Sequence, residues 1–146
     1  MNAKKVLLLG ASGSIGSQTL DIIRESNGQF ILTGFSVGKK AELVPQLLKE
    51  FKTVKFVYLI CKKCALTLSK QFPGVKFYSP DDGLIKITKN ADYDICVDAL
   101  VGFVGLEPAV LALERNKILC LANKEALVTG GTLINKILAK GKGKLY

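Results

Sequence analysis

The chain contains no histidine and only four cysteines among its 146 residues. A tetrahedral zinc site at Cys61 and Cys64 of the CKKC motif would need a second cysteine pair or histidines, and Cys96 and Cys120 lie inside apolar runs, where core positions are expected. A thioredoxin-like pair would need an activated thiolate at a helix start, which spacing alone does not establish. We predict no disulfide framework and structural roles for these cysteines, with Cys64 on the buried side of a helix.

The chain also lacks a long apolar run. None approaches the roughly 20 residues that a membrane-spanning helix needs, and the opening residues MNAKK lead directly into the first apolar run, without room for a signal peptide. Hydrophobic residues make up 49% of the chain and charged residues 23%, a balance typical of globular proteins. We expect one cytoplasmic domain with no membrane partner.

The net charge of +9 is compatible with binding to the phosphates of a nucleic acid. The lysines, however, occur singly or in pairs such as Lys4-Lys5 and Lys62-Lys63, without interleaved aromatic residues. This distribution is typical of a solvated surface. We predict no nucleic-acid partner.

Strand-like and helix-like patterns alternate along the chain, which predicts an α/β fold. Several apolar runs are unbroken, as in parallel strands covered on both faces, and helical stripes occur at 43–51 and 106–113. The expected class is Rossmann-like, a doubly wound and mainly parallel sheet with helices on both faces. The predicted strands are Lys5–Leu9, Phe30–Ser36, Lys55–Ile60, Val75–Tyr78, Ile95–Leu100 and Ile118–Ala122.

The segment KKVLLLGASGSIG places glycines at 10, 13 and 16, between an apolar strand and a helical pattern. Gly10 permits a tight turn, Gly13 leaves room for a phosphate beside the bare backbone, and Gly16 allows close packing of helix and sheet. Ser12 and Ser14 add hydroxyls beside backbone N–H groups that attract an anion. The spacing differs from the usual G-x-G-x-x-G, so packing alone remains an alternative function of the glycines.

The end of the second predicted strand distinguishes NAD from NADP, because a carboxylate there binds the ribose 2′-hydroxyl and repels a 2′-phosphate. Here it reads Ser36-Val37-Gly38-Lys39-Lys40, with no acidic residue before Glu42. A hydroxyl, a glycine and two ammonium groups suit a 2′-phosphate. We predict NADP(H), with two merely solvated lysines as the alternative.

A second polar cluster, Asn123-Lys124-Glu125, lies where a predicted strand gives way to a helix. Ligands bind at such strand ends in α/β sheets, although Asn123 as a helix cap and Glu125 in the first turn would explain the residues equally well. The turn 98–105 supplies small residues against which a nicotinamide ring could lie, and turn formation is its alternative explanation.

Four motifs, GASGSIGSQTLD, SVGKK, ALVGFVGL and LANKEALVTGG, occur in this order across nearly the whole chain. Together they resemble the 1-deoxy-D-xylulose 5-phosphate reductoisomerase family. The resemblance implies an NADPH-dependent rearrangement and hydride transfer that converts 1-deoxy-D-xylulose 5-phosphate to 2-C-methyl-D-erythritol 4-phosphate in non-mevalonate isoprenoid biosynthesis. It also implies a divalent cation, magnesium or manganese, and a homodimeric full-length enzyme.

The resemblance assigns residues by motif. Lys124 matches a lysine that reaches the substrate, and a cation there would stabilise oxyanion character on a bound ketose. Ser12 stands where many relatives have threonine, and Lys40 where asparagine is frequent. The expected cofactor-binding residues are Gly10, Ser12, Gly13, Ser14, Ile15, Gly16, Gly38, Lys39, Lys40, Asn123 and Glu125.

The chain stops just after a predicted helix from Glu125 to Lys140, at what resembles the start of another strand, Leu145-Tyr146. We expect residues 1–146 to be the NADP(H)-binding domain of a longer protein. The resemblance places the acidic metal ligands after Tyr146, so we predict no catalytic or metal-ligating residue here, and cofactor binding without turnover.

Other classes remain open. A short-chain dehydrogenase would need a Tyr-x-x-x-Lys pair, which only Tyr58 and Lys62 provide, at the end of an apolar strand. A semialdehyde dehydrogenase would need a nucleophilic cysteine further along the chain. A nucleotide-sensing module would need only the phosphate turn.

Overall fold

The computed structural model describes residues 2–122 and 124–146, without the side chain of Lys124. Strands and helices alternate, and a short 3-10 turn at Gly102–Gly105 precedes the fifth helix. The strands are β1 (Lys4–Leu9), β2 (Phe30–Ser36), β3 (Phe56–Tyr58), β4 (Lys76–Tyr78), β5 (Ile95–Asp98), β6 (Ile118–Leu121) and β7 (Lys144–Leu145). The helices are α1 (Ser14–Glu25), α2 (Leu43–Glu50), α3 (Lys62–Gln71), α4 (Gly83–Asn90), α5 (Leu106–Glu114) and α6 (Lys124–Lys140).

The seven strands form one parallel sheet in the order β4-β3-β2-β1-β5-β6-β7. Strand order runs outward from β1 in one direction as far as β4 and then restarts at β5 on the other side of β1. This reversal is the topological switch point at which open α/β sheets bind ligands. The predicted Rossmann-like class is confirmed.

Two apolar clusters lie on opposite faces of the sheet, because side chains alternate along each strand. Val6 and Leu8 of β1 belong to the cluster under α1, α2 and α3, whereas Leu7 and Leu9 belong to the one under α4, α5 and α6. The residues of β1 from Val6 to Leu9 are all fully buried. Helices therefore cover both faces, as predicted.

Several details differ from the sequence prediction. The structure has a helix, α4, where none was predicted, and β3 and β5 are shorter than their apolar runs. Ile22 of α1 is 60% exposed. It lines an open apolar cavity of about 400 Å³ between α1, β5 and β6. Within the described residues, no helix is long and apolar enough to span a bilayer.

Candidate functional site at the switch point

The carboxyl ends of β1 and β5 lie side by side at the switch point. Leu9 pairs with Asp98 in the parallel register, and the backbone N–H of Ala99 donates to the carbonyl of Leu9 at 2.9 Å. The chain leaves β1 through the turn 10–13 and leaves β5 through the turn 99–102. The two segments lie against each other, since a Cβ on Gly10 would be 2.9 Å from the carbonyl oxygen of Ala99.

Gly10 and Gly16 are required by the packing of the first turn. Gly10 has φ +92°, a conformation that glycine adopts readily, and a Cβ there would lie 2.9 Å from the carbonyl oxygen of Ala99. A Cβ on Gly16 would collide with the carbonyl oxygen of Gly10. Helix α1 can therefore approach the strand end only because both positions lack side chains.

Gly13 differs from these two glycines. Its backbone is extended, with φ −87° and ψ 179°, and a Cβ there would meet nothing closer than the Gly10 carbonyl oxygen at 3.8 Å. Gly13 is exposed and immediately precedes Ser14, the first residue of α1, and no described side chain caps the first turn of this helix. The fold does not require glycine here. The open backbone is suited to an anion at the helix N-terminus.

The serines and Ile15 surround this open backbone. Ser14 is exposed and Ser12 is half-buried. Ile15 is 46% exposed and lines the apolar cavity together with Ala122 and Tyr146. The phosphate-turn residues predicted from the sequence are therefore brought together, with an apolar surface next to them.

Ser36, at the end of β2, holds the glycine turn in place. Its Oγ accepts a hydrogen bond of 2.8 Å from the N–H of Gly10, and its carbonyl accepts one of 2.8 Å from the N–H of Ala11. Only 1% of the Ser36 surface is exposed. The prediction that this hydroxyl faces a 2′-phosphate is wrong, because the side chain points into the protein and binds the turn.

The segment Gly38–Lys40 follows β2 directly. Gly38 is half-buried, and both lysines are exposed ahead of α2, which begins only at Leu43. Neither lysine forms an ion pair with the described part of the chain. Two unpaired cations therefore stand at the strand end where the adenosine ribose of a dinucleotide binds in this architecture.

Asp98, at the end of β5, was not predicted as a site residue. Its side chain is fully buried, and its Oδ1 accepts a hydrogen bond from the N–H of Leu100 at 3.3 Å. Burial raises the pKa of the carboxyl from 3.8 to about 7, and the Leu100 N–H opposes the rise. Its Oδ2 has no hydrogen-bond partner among the described residues. The only signal in the sequence was an acidic residue inside a predicted apolar strand.

The second polar cluster is only partly described. Asn123 and the side chain of Lys124 lie outside the described residues. Glu125 is exposed in the first turn of α6, where an acidic side chain favours the helix. Within residues 2–122 and 124–146, the structure holds no group of three acidic or cysteine side chains that could bind a metal ion.

The cysteines are arranged differently from the prediction. Cys61 and Cys64 form a disulfide at the start of α3, whereas purely structural roles and no disulfide framework were predicted. Cys64 packs against the core, as predicted. Cys96 is fully buried, and Cys120 is half-buried and lines the apolar cavity.

The sheet order and the glycine turn at the switch point define a Rossmann-like α/β domain of the architecture that binds dinucleotides. The family model described as 1-deoxy-D-xylulose 5-phosphate reductoisomerase matches residues 6–131. The chain therefore belongs to the 1-deoxy-D-xylulose 5-phosphate reductoisomerase family, as its motifs predicted.

The reductoisomerase of Listeria innocua is 44% identical over 131 residues, which are 90% of this chain and 34% of the relative. A crystal structure of DOX-P reductoisomerase with NADPH, fosmidomycin and magnesium superposes with a TM-score of 0.87 at 29% identity, over 97% of this chain and 35% of that one. The Zymomonas mobilis enzyme with NADPH gives 0.85 at 25% identity, over 99% and 38%. The chain thus spans about a third of the length of these relatives.

Proposed function

We propose that these residues are the NADPH-binding domain of a 1-deoxy-D-xylulose 5-phosphate reductoisomerase. The observation that carries the proposal is the open backbone at Gly13, in front of the uncapped first turn of α1. Two relatives with this fold have been solved with NADPH. The pyrophosphate would bind the N–H groups of this turn, with the hydroxyls of Ser12 and Ser14 beside it.

The choice of NADPH over NADH rests on Lys39 and Lys40. Their charges are not neutralised by ion pairs with the described residues, and a 2′-phosphate is a dianion that two ammonium groups stabilise. Gly38 lets the backbone pass close to the ribose. Asn123 and Glu125 complete the proposed cofactor contacts at the nicotinamide half.

Within the full-length enzyme, bound NADPH would supply the hydride that follows rearrangement of the substrate, 1-deoxy-D-xylulose 5-phosphate. The turns at 10–13 and 99–102 would orient the cofactor and exclude water, and Lys124 would reach the substrate. Magnesium is present in three related structures, and the described residues offer no group of acidic side chains for it. We propose that the 146-residue polypeptide alone binds NADPH without turnover, and that the full-length enzyme is a homodimer.

Gly13→Ala tests the phosphate turn. Any residue can adopt the backbone conformation of Gly13, and the space around it is open, so the variant should fold as the wild type does. Its methyl group should block the approach of a phosphate. Calorimetric titration with NADPH should show an affinity at least about tenfold weaker, the loss of one charge-assisted hydrogen bond. Gly74→Ala, in an exposed loop with equal space, is the control. Unchanged NADPH affinity in Gly13→Ala would contradict the proposal.

Lys39→Ala/Lys40→Ala tests cofactor choice. Each lost contact with the 2′-phosphate should weaken NADPH binding by about one to two orders of magnitude and leave NADH binding unchanged. Lys86→Ala/Lys89→Ala removes the same charge from exposed positions on α4 and should affect neither nucleotide. Equal affinity of the wild type for NADPH, NADH and adenosine nucleotides would favour a nucleotide-sensing module instead.

Turnover by the isolated polypeptide is measured with 1-deoxy-D-xylulose 5-phosphate, NADPH and manganese, followed at the absorbance band of reduced nicotinamide. We expect the same rate as in a reaction without protein. A steady loss of absorbance above that rate would refute the proposed inactivity but not the proposed cofactor site.

A further inference from the structure

Cys61 and Cys64 lie outside the proposed nucleotide site, at the start of α3. Cys61 is the N-cap residue of this helix, and its Sγ accepts a hydrogen bond of 3.0 Å from the backbone N–H of Cys64. The sulfur therefore occupies the place of a capping oxygen, in front of a helix of ten residues. A thiolate at this position would keep the same hydrogen bond and gain the favourable field of the helix N-terminus.

The charges around the pair favour the same ionised form. Lys62 and Lys63, the two residues between the cysteines, are both exposed, and neither forms an ion pair with the described residues. Nearby ammonium groups stabilise a thiolate over a thiol. By contrast, burial raises the pKa of the thiols of Cys96 and Cys120.

The pair is also accessible. Cys61 and Cys64 are half-buried rather than enclosed. A groove of about 350 Å³ between the start of α2 and α3 is lined by Cys64 and Lys63, with Glu42 opposite. Cys61 does not line this groove but is half-buried at the helix start beside the exposed Lys62, and the two exposed lysines favour an anionic reactant.

We propose that Cys61 and Cys64 form a thiol–disulfide exchange site for an anionic low-molecular-weight disulfide, with Cys61 as the attacking thiol and Cys64 as the resolving one. This goes beyond the proposed function and does not depend on nucleotide binding. Cys61 takes the attacking role because its sulfur caps the helix, whereas Cys64 packs against the core.

The exchange conserves atoms and electrons. The Cys61 thiolate attacks one sulfur of the external disulfide, whose S–S bond breaks and releases one thiolate, leaving a mixed disulfide on Cys61. Cys64 then loses its proton and attacks the Cys61 sulfur, which forms the internal disulfide and releases the second thiolate. The two protein thiols are oxidised, and the external disulfide is reduced to two thiols.

The first test is a redox titration of the otherwise wild-type chain carrying Cys120→Ser, in buffers of varied ratio of glutathione to glutathione disulfide. Free thiols are alkylated and counted by mass spectrometry under native conditions, in which Cys96 is buried. We expect a complete and reversible change between dithiol and disulfide across the series. A pair that stays in one form at every ratio would overturn the proposal, and this test requires no change at the pair.

The second test separates the two cysteines. We compare the rate at which glutathione disulfide forms a mixed disulfide at Cys61 in Cys64→Ser with the rate at Cys64 in Cys61→Ser. The reaction at Cys61 should be at least about threefold faster, because a larger fraction of this thiol is ionised at the helix start. Lys62→Ala/Lys63→Ala should slow this reaction more than it slows the reaction with an uncharged disulfide, 2-hydroxyethyl disulfide, because the uncharged reactant loses only the stabilisation of the thiolate. Lys86→Ala/Lys89→Ala should slow neither. Equal rates at the two cysteines, or no effect of the lysines, would refute the assigned roles.

Discussion

The hydroxyl oxygen of Ser36 accepts a hydrogen bond of 2.8 Å from the backbone N–H of Gly10. The two residues are 26 positions apart and join the ends of β2 and β1 at the glycine turn. Because Gly10 has a positive φ and its N–H donates to the neighbouring strand end, the turn depends on a side chain outside the turn itself.

Ser36→Ala removes this acceptor in a buried place. The N–H of Gly10 then loses its partner, which should lower the free energy of unfolding by about 1–3 kcal/mol. Urea denaturation measures this change, with Ser17→Ala on the exposed face of α1 as the control. A loss no greater than that of the control would show that the bond does not fix the turn.

Gly16→Ala should disrupt the contact of α1 with the glycine turn. Its Cβ would collide with the carbonyl oxygen of Gly10, which is backbone and cannot rotate away, so a loss of about 1–3 kcal/mol or more is expected. Gly131→Ala, in α6 with open space around it, should instead raise stability by up to about 1 kcal/mol. Thermal unfolding of the two variants should therefore shift in opposite directions.

Asp98 should make stability depend on pH near neutrality. Its pKa is raised by burial to about 7 in the folded chain, so between its usual pKa and pH 7 the folded state binds the proton more tightly than the unfolded state does. Stability should therefore fall as pH rises from about 4 to about 7, and stay low above that. A shift from 3.8 to about 7 corresponds to at most about 4 kcal/mol.

Asp98→Asn removes this titration and keeps an oxygen for the Leu100 N–H. Because each protein is compared with itself at pH 5 and pH 8, any pH-independent effect of the new amide on the free energy of unfolding cancels. Urea unfolding should show a smaller decrease between these pH values for Asp98→Asn than for the wild type. An identical decrease in both proteins would mean that Asp98 is not the group responsible.

Arg115 should stabilise the end of α4 across a large sequence distance. Its Nη1 donates to the carbonyls of Thr88 and Ala91 at 2.8 and 3.0 Å, and its guanidinium lies 4.8 Å from the centre of the Tyr93 ring. Arg115→Ala should therefore lower the free energy of unfolding by about 1.5–3 kcal/mol. Arg24→Ala, which breaks exposed ion pairs, should cost about 1 kcal/mol or less. If urea unfolding shows similar losses of free energy for the two variants, Arg115 does not stabilise the end of α4 as expected.

The sequence predicted the strands because unbroken apolar runs are typical of parallel strands covered on both faces. β2 was predicted to the residue, and the ends of β1 and β6 within one residue. Helix α4 was missed, because Ile85 and Ile87 are β-branched residues with low helix propensity. Its end is fixed by Arg115, which lies 24 residues after Ala91 in sequence, so local pattern carries little information about it.

The candidate site was predictable where backbone geometry determines the residue type, as at Gly10 and Gly16. It was not predictable where the partner is distant in sequence. Ser36 was taken for a phosphate ligand because its residue type fits, yet its environment directs the hydroxyl to Gly10. The pairing of Cys61 with Cys64 depends on where α3 begins, which spacing did not determine.

The switch-point turn is shaped mainly by main-chain atoms, and this limits its mutational tolerance. At Gly10 and Gly16 any side chain would strike neighbouring backbone, and at Gly13 it would enter the space proposed for the phosphate. Few substitutions in the turn would therefore block a compound that binds these amides and still allow the native ligand to bind. Resistance to such a compound would have to arise at the surrounding side chains.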